Sequence, residues 1–448
     1  MIFTGAAIAA ATGGTLLADG PAGPILTDSR RLVPGSWFVA LSGDRFDGHD
    51  FLPHAAASGC AGAVVRRRPE GWTAGLVLVP DPLVALQQLG ASVRDHLHCP
   101  VIGITGSAGK TSTRVLVVEV LRALGQVHHT QGNLNNHIGV PLTLLATPPD
   151  ADAVVLELGM NHPGEIALLA VISRPTVRLI TNVGAAHVEG CGSLDGVARA
   201  KQELFDSARP GDTLCINVDD PRIAAMPLPE GVRVVRYGSG ADAAIRLTDV
   251  SVDPQRLQTR LRMETPDGVV RATLQVPGAH LAINAAAAVA VAFALRVPVE
   301  SLAPAIGRFA PEGMRNRVEH FGDLVVLDDA YNANPLSMVA ALRTLGSLPG
   351  YRVAVLGDML ELGQEAAAGH REVLEEAEKL GIQQVLVTGE QMAAVGLGTA
   401  FPEVGALAAE LVRLLRALPV GTPRAVLIKG SRGARMERVL ERLRAEWK

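Results

Sequence analysis

Short apolar runs alternate along this chain with longer stretches whose apolar residues recur at helical spacing. Residues 37–41 (WFVAL), 61–65 and 76–79 predict three strands, and the Ala-rich stretch 52–58 predicts a helix after the polar loop GDRFDGHDF. Residues 101–105 (VIGIT), 153–158, 177–181 and 213–218 are almost continuously apolar, as strands of a parallel sheet buried on both faces are. A helix over 111–124 follows the first of these runs and stops at Gly125. Residues 243–276 alternate instead (IRLTDVSV, LQTRLRM, VVRATLQV), which predicts an antiparallel patch, and an Ala-rich helix over 282–295 follows. From Pro311 the pattern becomes strands at 324–327, 352–356, 385–388 and 425–428, separated by helices near 335–345, 366–380, 403–416 and 434–446. Such alternation predicts a doubly wound, Rossmann-like sheet, although GxGxxG is missing from its first turn, so no NAD is implied.

The expected fold class is therefore α/β in three domains. Residues 1–98 form a small α/β unit, 99–311 a central P-loop ATPase-like parallel sheet with the antiparallel patch, and 312–448 a Rossmann-like α/β domain. The length of 448 residues agrees with about three domains, and 48% hydrophobic residues supply cores for all of them. Forty-one Lys and Arg against 45 Asp and Glu leave a net charge of −4, which lacks the basic field that nucleic acid or an anionic membrane requires. Four cysteines without CxxC spacing indicate free thiols in a reducing compartment rather than disulfides or a zinc site. The N-terminal stretch has no positive region before its apolar residues, and Thr4 is placed to cap a helix ending at Gly13-Gly14. The longest apolar run, 285–295, is too short to span a bilayer. A soluble cytoplasmic protein is expected, with no nucleic-acid partner and no membrane insertion.

The strongest chemical signal is Gly106-Ser107-Ala108-Gly109-Lys110-Thr111-Ser112, between a buried strand and a helix. Glycines there let backbone N–H groups curl round phosphate oxygens, and the helix N-terminus adds positive potential. Lys110 is suited to the β- and γ-phosphates of ATP and the Thr111 hydroxyl to Mg²⁺. The strict GxxxxGK[ST] pattern fails by one residue, at Ile104. Glu157 ends the strand AVVLE, where an acid is costly in a core but well placed to hold a second Mg²⁺; the alternative is a strand-end carboxylate in water. His187 follows the strand VRLIT in TNVGAAHVEG, at another strand end. Lys201, in VARAKQELF, reads by itself as a solvated lysine on a helix. Asp328 and Asp329 end the strand LVVLDD before the turn AYNANP, where they suit ribose hydroxyls or a metal; the alternative is a helix cap by Asn334 beside one solvated Asp. Arg315 suits a phosphate or a surface ion pair equally.

Taken together and in order, these stretches resemble the Mur ligases of peptidoglycan synthesis. The resemblance is carried by TDSRRLVPGSWFVALSGDRFDGHDF, GITGSAGKTSTR, QGNLNNHIGVPLTLL, ELGMNHPGEIALLA, TNVGAAHVEGCGSLDGVARAK, GAHLAINAAAA, DDAYNANPLSM, GDMLELG and KGSRGARME. The family's phosphate loop has the shorter GxxGKT form, which accounts for Ile104. The resemblance implies a reaction in which a substrate carboxylate takes the γ-phosphate of ATP as an acyl phosphate and an amine then displaces phosphate. It implies ATP and Mg²⁺, in all two ions, with Thr111, Glu157, His187 and a carbamylated Lys201 as ligands. It further implies that Asn284 meets adenine, that Arg315 lies near the ATP phosphates, that Asp329 contacts ribose or couples domain closure, and that Asn332 and Tyr331 lie beside the nucleotide. Ser29 and Arg30 resemble a uridine-diphosphate pocket, and Asn135 and Asn136 resemble contacts to a muramoyl peptide. Ser431 and Arg432 suit a dipeptide carboxylate; a solvated KGSR loop is the alternative. The GNLNN, YNANP and GDMLELG stretches are similar to the member that adds D-Ala-D-Ala to UDP-MurNAc-tripeptide, and the implied state is a monomer. The DNPR string of the diaminopimelate-adding member is absent. Folylpolyglutamate synthase shares the central fold without a segment like 25–51, and a non-catalytic nucleotide-binding partner of cell-wall assembly is the reading from another class.

Overall fold

A computed structural model describes residues 1–43 and 46–447; Asp44 and Arg45 of the expected GDRFDGHDF loop lie outside the described residues. The chain is a mixed α/β protein that divides into two compact units. The first comprises residues 1–103, 124–159 and 165–176, the second residues 104–123, 160–164 and 177–448.

In the first unit, five strands lie in the order Thr15–Ala18, Gly75–Leu78, Gly62–Val65, Trp37–Val39, Ile25–Leu26. All neighbours pair parallel except the edge strand Thr15–Ala18. The indole of Trp37, fully buried, lies across this sheet, and a Cβ at Gly62 would come within 2.5 Å of it. The glycine there makes room for the largest side chain of the core. Helix Gly5–Thr12 begins with the Thr4 side chain accepting from Ala7 N and ends with Gly13 in the left-handed region, as its sequence predicts. Helix Pro82–His96 packs on helices Gly139–Leu145 and Glu165–Ser173, and strands Val127–His129 and Ala153–Glu157 pair parallel.

In the second unit, strands Val177–Ile180, Thr213–Asn217, Arg233–Gly238 and Ile245–Asp253 pair parallel in sequence order. The predicted antiparallel patch follows as Ile245–Asp253, Gln258–Thr265 and Gly268–Leu274. The Ala-rich helix His280–Ala294 packs closely on helix Lys110–Leu121, which small side chains permit. A further sheet has the order Arg317–Phe321, Leu324–Asp329, Arg424–Lys429, Tyr351–Gly357, Gln384–Thr388, Thr399–Phe401, parallel but for its first strand. Helices Pro335–Ser347 and Ala366–Lys379 share one hydrophobic core with this sheet, and Val404–Ala417 and Glu437–Glu446 share the other. Helices cover both faces, so ligand crevices are expected at the carboxyl ends of the strands. Among the described residues, no helix is long and apolar enough to cross a membrane.

Candidate active site

Strand Val101–Thr105 ends in the phosphate loop, and helix Lys110–Leu121 begins with Gly109 as its cap residue. Two loop positions need glycine. Gly106 has φ +150 and a Cβ there would sit 1.8 Å from Thr181 Oγ1; Gly109 has φ +78. The segment 181–184 pins the loop from one side. Ser107 N donates to Asn182 O at 3.0 Å, Ala108 N to Asn182 Oδ1 at 2.8 Å, Thr181 Oγ1 to Ala108 O at 2.6 Å and Ser107 Oγ to Gly184 O at 2.9 Å. Lys110 Nζ donates to Gly106 O at 2.6 Å, so the ammonium is held over the loop. Asn284 is buried with its side chain against Gly109.

The Rossmann-like sheet meets this loop through Asn334. Its Nδ2 donates to Ser107 O at 3.0 Å while its Oδ1 accepts from Ser337 N at 2.9 Å. The expected helix cap is present, and the same residue ties that helix to the phosphate loop. Asp329 is buried and ion-paired with Lys429, whose Nζ also donates to Asn332 O at 2.9 Å. Asp329 Oδ1 accepts from Asn316 N at 3.2 Å, and the Arg315 guanidinium stacks 3.8 Å from the Tyr331 ring centre. The pair of strand-end acids contains no solvated Asp, contrary to the alternative read from the sequence. Asp328 is 1% exposed, its Oδ1 accepts from Ala330 N at 3.3 Å, and its Oδ2 has no partner among the described residues.

Burial, with repulsion from Asp329 and Glu319, pushes the Asp328 carboxyl up to about 6. The folded protein therefore binds a proton that the unfolded chain has already lost, and stability falls as pH rises from the ordinary Asp range through 6. Asp328→Asn should remove this loss. We expect it to stabilise the protein by about 1–2 kcal/mol at pH 7.5, with little change at pH 4, in chemical denaturation.

A cavity of about 250 Å³ lies at these strand ends, lined by Ser107, Lys110, His187, Asn332, Asn334, Glu361, Ser431 and Arg432 among others. His187 adopts φ +59 and Glu361 φ +65, both unusual for residues with a Cβ. His187 Nδ1 and Glu361 Oε2 meet at 2.6 Å, out of line for an ideal hydrogen bond. The His187 contact holds the Glu361 carboxyl below its ordinary value. Ser431 Oγ accepts from Leu360 N at 2.9 Å, and Arg432 Nη1 donates to Glu437 Oε1 at 3.0 Å. A wider cavity of about 670 Å³, between Arg233, Phe293 and Arg296, carries none of these groups.

Lys201 is the largest departure from the local reading. It sits on helix Leu194–Asp206 but is 1% exposed, because its position falls on the apolar face with Val197, Leu204 and Phe205. Burial, with the charge of Lys110 adding, lowers its amine well below the ordinary lysine value.

The remaining predicted residues belong to the first unit. Glu157 is buried and its Oε1 accepts from Asn135 Nδ2 at 3.0 Å. Asn136 Oδ1 accepts from Ile138 N at 3.2 Å and from Gly139 N at 2.9 Å, just before helix Gly139–Leu145. Ser29 and Arg30 form a surface turn in which Arg30 clasps Asp28 at 2.9 and 2.8 Å. In the DGHD loop, His49 Nδ1 lies 2.7 Å from Asp47 and its Nε2 accepts from Arg66 N at 3.1 Å. Sequence reasoning missed Asn182, Glu361 and Lys429. The TNVG and GDMLELG stretches carried a signal for the first two; the partner of Lys429 is 100 residues away in sequence.

The loop, its helix and the adjoining doubly wound sheet define a phosphate-loop nucleotide-binding protein with a second, Rossmann-like domain. Residues 104–292 match the Mur ligase middle domain, and 315–432 match the domain described as Mur ligase, glutamate ligase domain. The chain is 39% identical over 424 residues to the UDP-N-acetylmuramoyl-tripeptide–D-alanyl-D-alanine ligase of Escherichia coli, covering 94% of this chain and 93% of that one. It is 34% identical to the Bacillus subtilis ligase of the same name, covering 94% and 92%. A crystal structure of MurF from Acinetobacter baumannii superposes with a TM-score of 0.93 at 31% identity, over 100% and 99% of the two chains. A MurF ligase from Thermotoga maritima in complex with ADP gives 0.85 at 27% identity, over 95% and 98%. The chain belongs to the Mur ligase family and has its three-domain α/β architecture.

Proposed function

We propose that this chain is an ATP-dependent amide ligase of peptidoglycan precursor synthesis. It joins D-Ala-D-Ala to UDP-MurNAc-tripeptide and yields UDP-MurNAc-pentapeptide, ADP and phosphate. The observation that carries the chemistry is a cavity lined by both Lys110 of the phosphate loop and Arg432 of the Rossmann-like sheet. A tripeptide carboxylate oxygen attacks the γ-phosphorus of ATP and ADP leaves. The neutral dipeptide amine then attacks the acyl carbon, the C–N bond forms, the nitrogen gives its extra proton to solvent water, and the C–O bond breaks as phosphate departs. Such a sequence requires positioning and charge neutralisation more than covalent help, which is what loop N–H groups and Lys110 supply.

Among the described residues, no group of three or more His, Cys, Asp or Glu is assembled to hold a metal ion. Mg²⁺ does not require one, since it keeps waters and takes substrate phosphate oxygens with one or two protein oxygens. The Thr111 hydroxyl fits that demand, and Glu157, His187 and a carbamylated Lys201 are the further ligands the family resemblance implies. When bound, Mg²⁺ supplies positive charge for two anionic substrates. For Lys201, burial supports the reading because only a neutral amine takes up CO₂.

In the same reading residues 1–98 hold the UDP-substrate through Ser29 and Arg30, with Asn135 and Asn136 toward the peptide. Residues 99–311 hold ATP through the phosphate loop and Asn284, while 312–448 reach it with Arg315, Asp329 and Asn332 and hold the dipeptide through Ser431 and Arg432. The enzyme acts as a cytoplasmic monomer. Phosphate release with ATP, Mg²⁺, UDP-MurNAc-tripeptide and D-Ala-D-Ala tests the proposal, and release should depend on all four. Release with UDP-MurNAc-dipeptide and a free diamino acid instead would assign the chain to the preceding step, and no release above background would leave a nucleotide-binding protein.

A further inference from the structure

The D-Ala-D-Ala dipeptide is a zwitterion, so a site for it needs an anion for the ammonium as well as a cation for the carboxylate. Among the described residues lining the 250 Å³ cavity, the charged groups are Lys110, Arg432 and one carboxylate, that of Glu361. We propose that Glu361 binds the ammonium of the incoming dipeptide, opposite a carboxylate held by Arg432. The proposal rests on the ligase reading above.

Three features place Glu361 for this. Its backbone holds φ +65, where a side chain is strained and glycine is not, so the loop keeps an acid at a position that favours glycine. The loop is tied down on both sides of that strain. Leu360 N donates to Ser431 Oγ at 2.9 Å and Glu361 O accepts from Glu189 N at 3.2 Å. The carboxylate is 52% exposed and faces His187 through Oε2 alone, leaving the other oxygen for a donor in the cavity. An ammonium placed instead against Lys110 or Arg432 would meet like charge. Held at Glu361, the ammonium gives one proton to solvent water, and the freed amine faces the cavity that Lys110 lines, where the γ-phosphate is expected and the acyl phosphate must be met. Ser431 Oγ, besides its place beside Arg432, also fixes the Leu360–Glu361 turn.

Steady-state phosphate release by Glu361→Gln and Glu361→Asp tests the assignment. We expect Glu361→Gln to raise KM for D-Ala-D-Ala about 10- to 100-fold, the range for losing one charge-assisted hydrogen bond, while KM for ATP and for UDP-MurNAc-tripeptide stay within about twofold. Glu361→Asp should recover part of the loss. An unchanged dipeptide KM, a fall in kcat with KM intact, or an equal rise in all three KM values would overturn the proposal. A wild-type enzyme without dipeptide-dependent release would instead defeat the ligase reading beneath it.

Discussion

Lys110→Ala should lower ATP-dependent phosphate release by about 10³-fold while the protein stays folded. The ammonium sits over the loop on Gly106 O, and the loop keeps its shape through bonds Lys110 does not make. Ser107 and Ala108 are held by Thr181, Asn182 and Gly184, and Asn334 fastens the loop from the Rossmann-like sheet. Removing the lysine therefore takes away charge and leaves geometry. The loss should fall mainly on kcat, because charge builds on the transferring phosphoryl group in the transition state. Circular dichroism and thermal unfolding close to wild type, with kcat lowered, is the expected pattern. A variant with more than a tenth of wild-type kcat would show that the loop's N–H groups alone suffice.

Lys201→Ala should lower turnover by about 10²-fold, and small carboxylates in the buffer should restore part of it. A fully buried lysine with its amine pushed toward neutrality is poorly suited to act as a cation, but it is suited to react with CO₂ and become an anion. The neutral burial also predicts a pH slope. The unfolded chain binds a proton at Lys201 that the folded one releases, so stability rises with pH toward the ordinary lysine range. Lys201→Met, which keeps the volume, should flatten that slope, stay folded and be as inactive as Lys201→Ala. Full activity of either variant without added anions would end the carbamate reading.

Element positions were legible because the forces that set them act over a few residues. The phosphate loop shows itself through glycines between an apolar run and a helix. The cap at Thr4 and the stop at Gly13 need only neighbouring backbone. The change from continuous to alternating apolar runs near residue 243 marked the turn from parallel to antiparallel pairing, which is what Ile245–Leu274 does. Asn334 was half legible: its cap is local, whereas its bond to Ser107 O spans 227 positions.

Ordered motifs thus determined the family, the phosphate loop and the residue types available for chemistry, because backbone propensity and apolar period are written within each segment. Only the tertiary structure decided how those groups are used. Lys201 reads as a surface lysine until helix Leu194–Asp206 turns its face into a core. Asp329 acquires Lys429, and His187 acquires Glu361, only when strand ends distant in sequence meet at one crevice. Burial and ion pairing depend on what the rest of the chain brings within a few ångströms, and no local pattern encodes that distance.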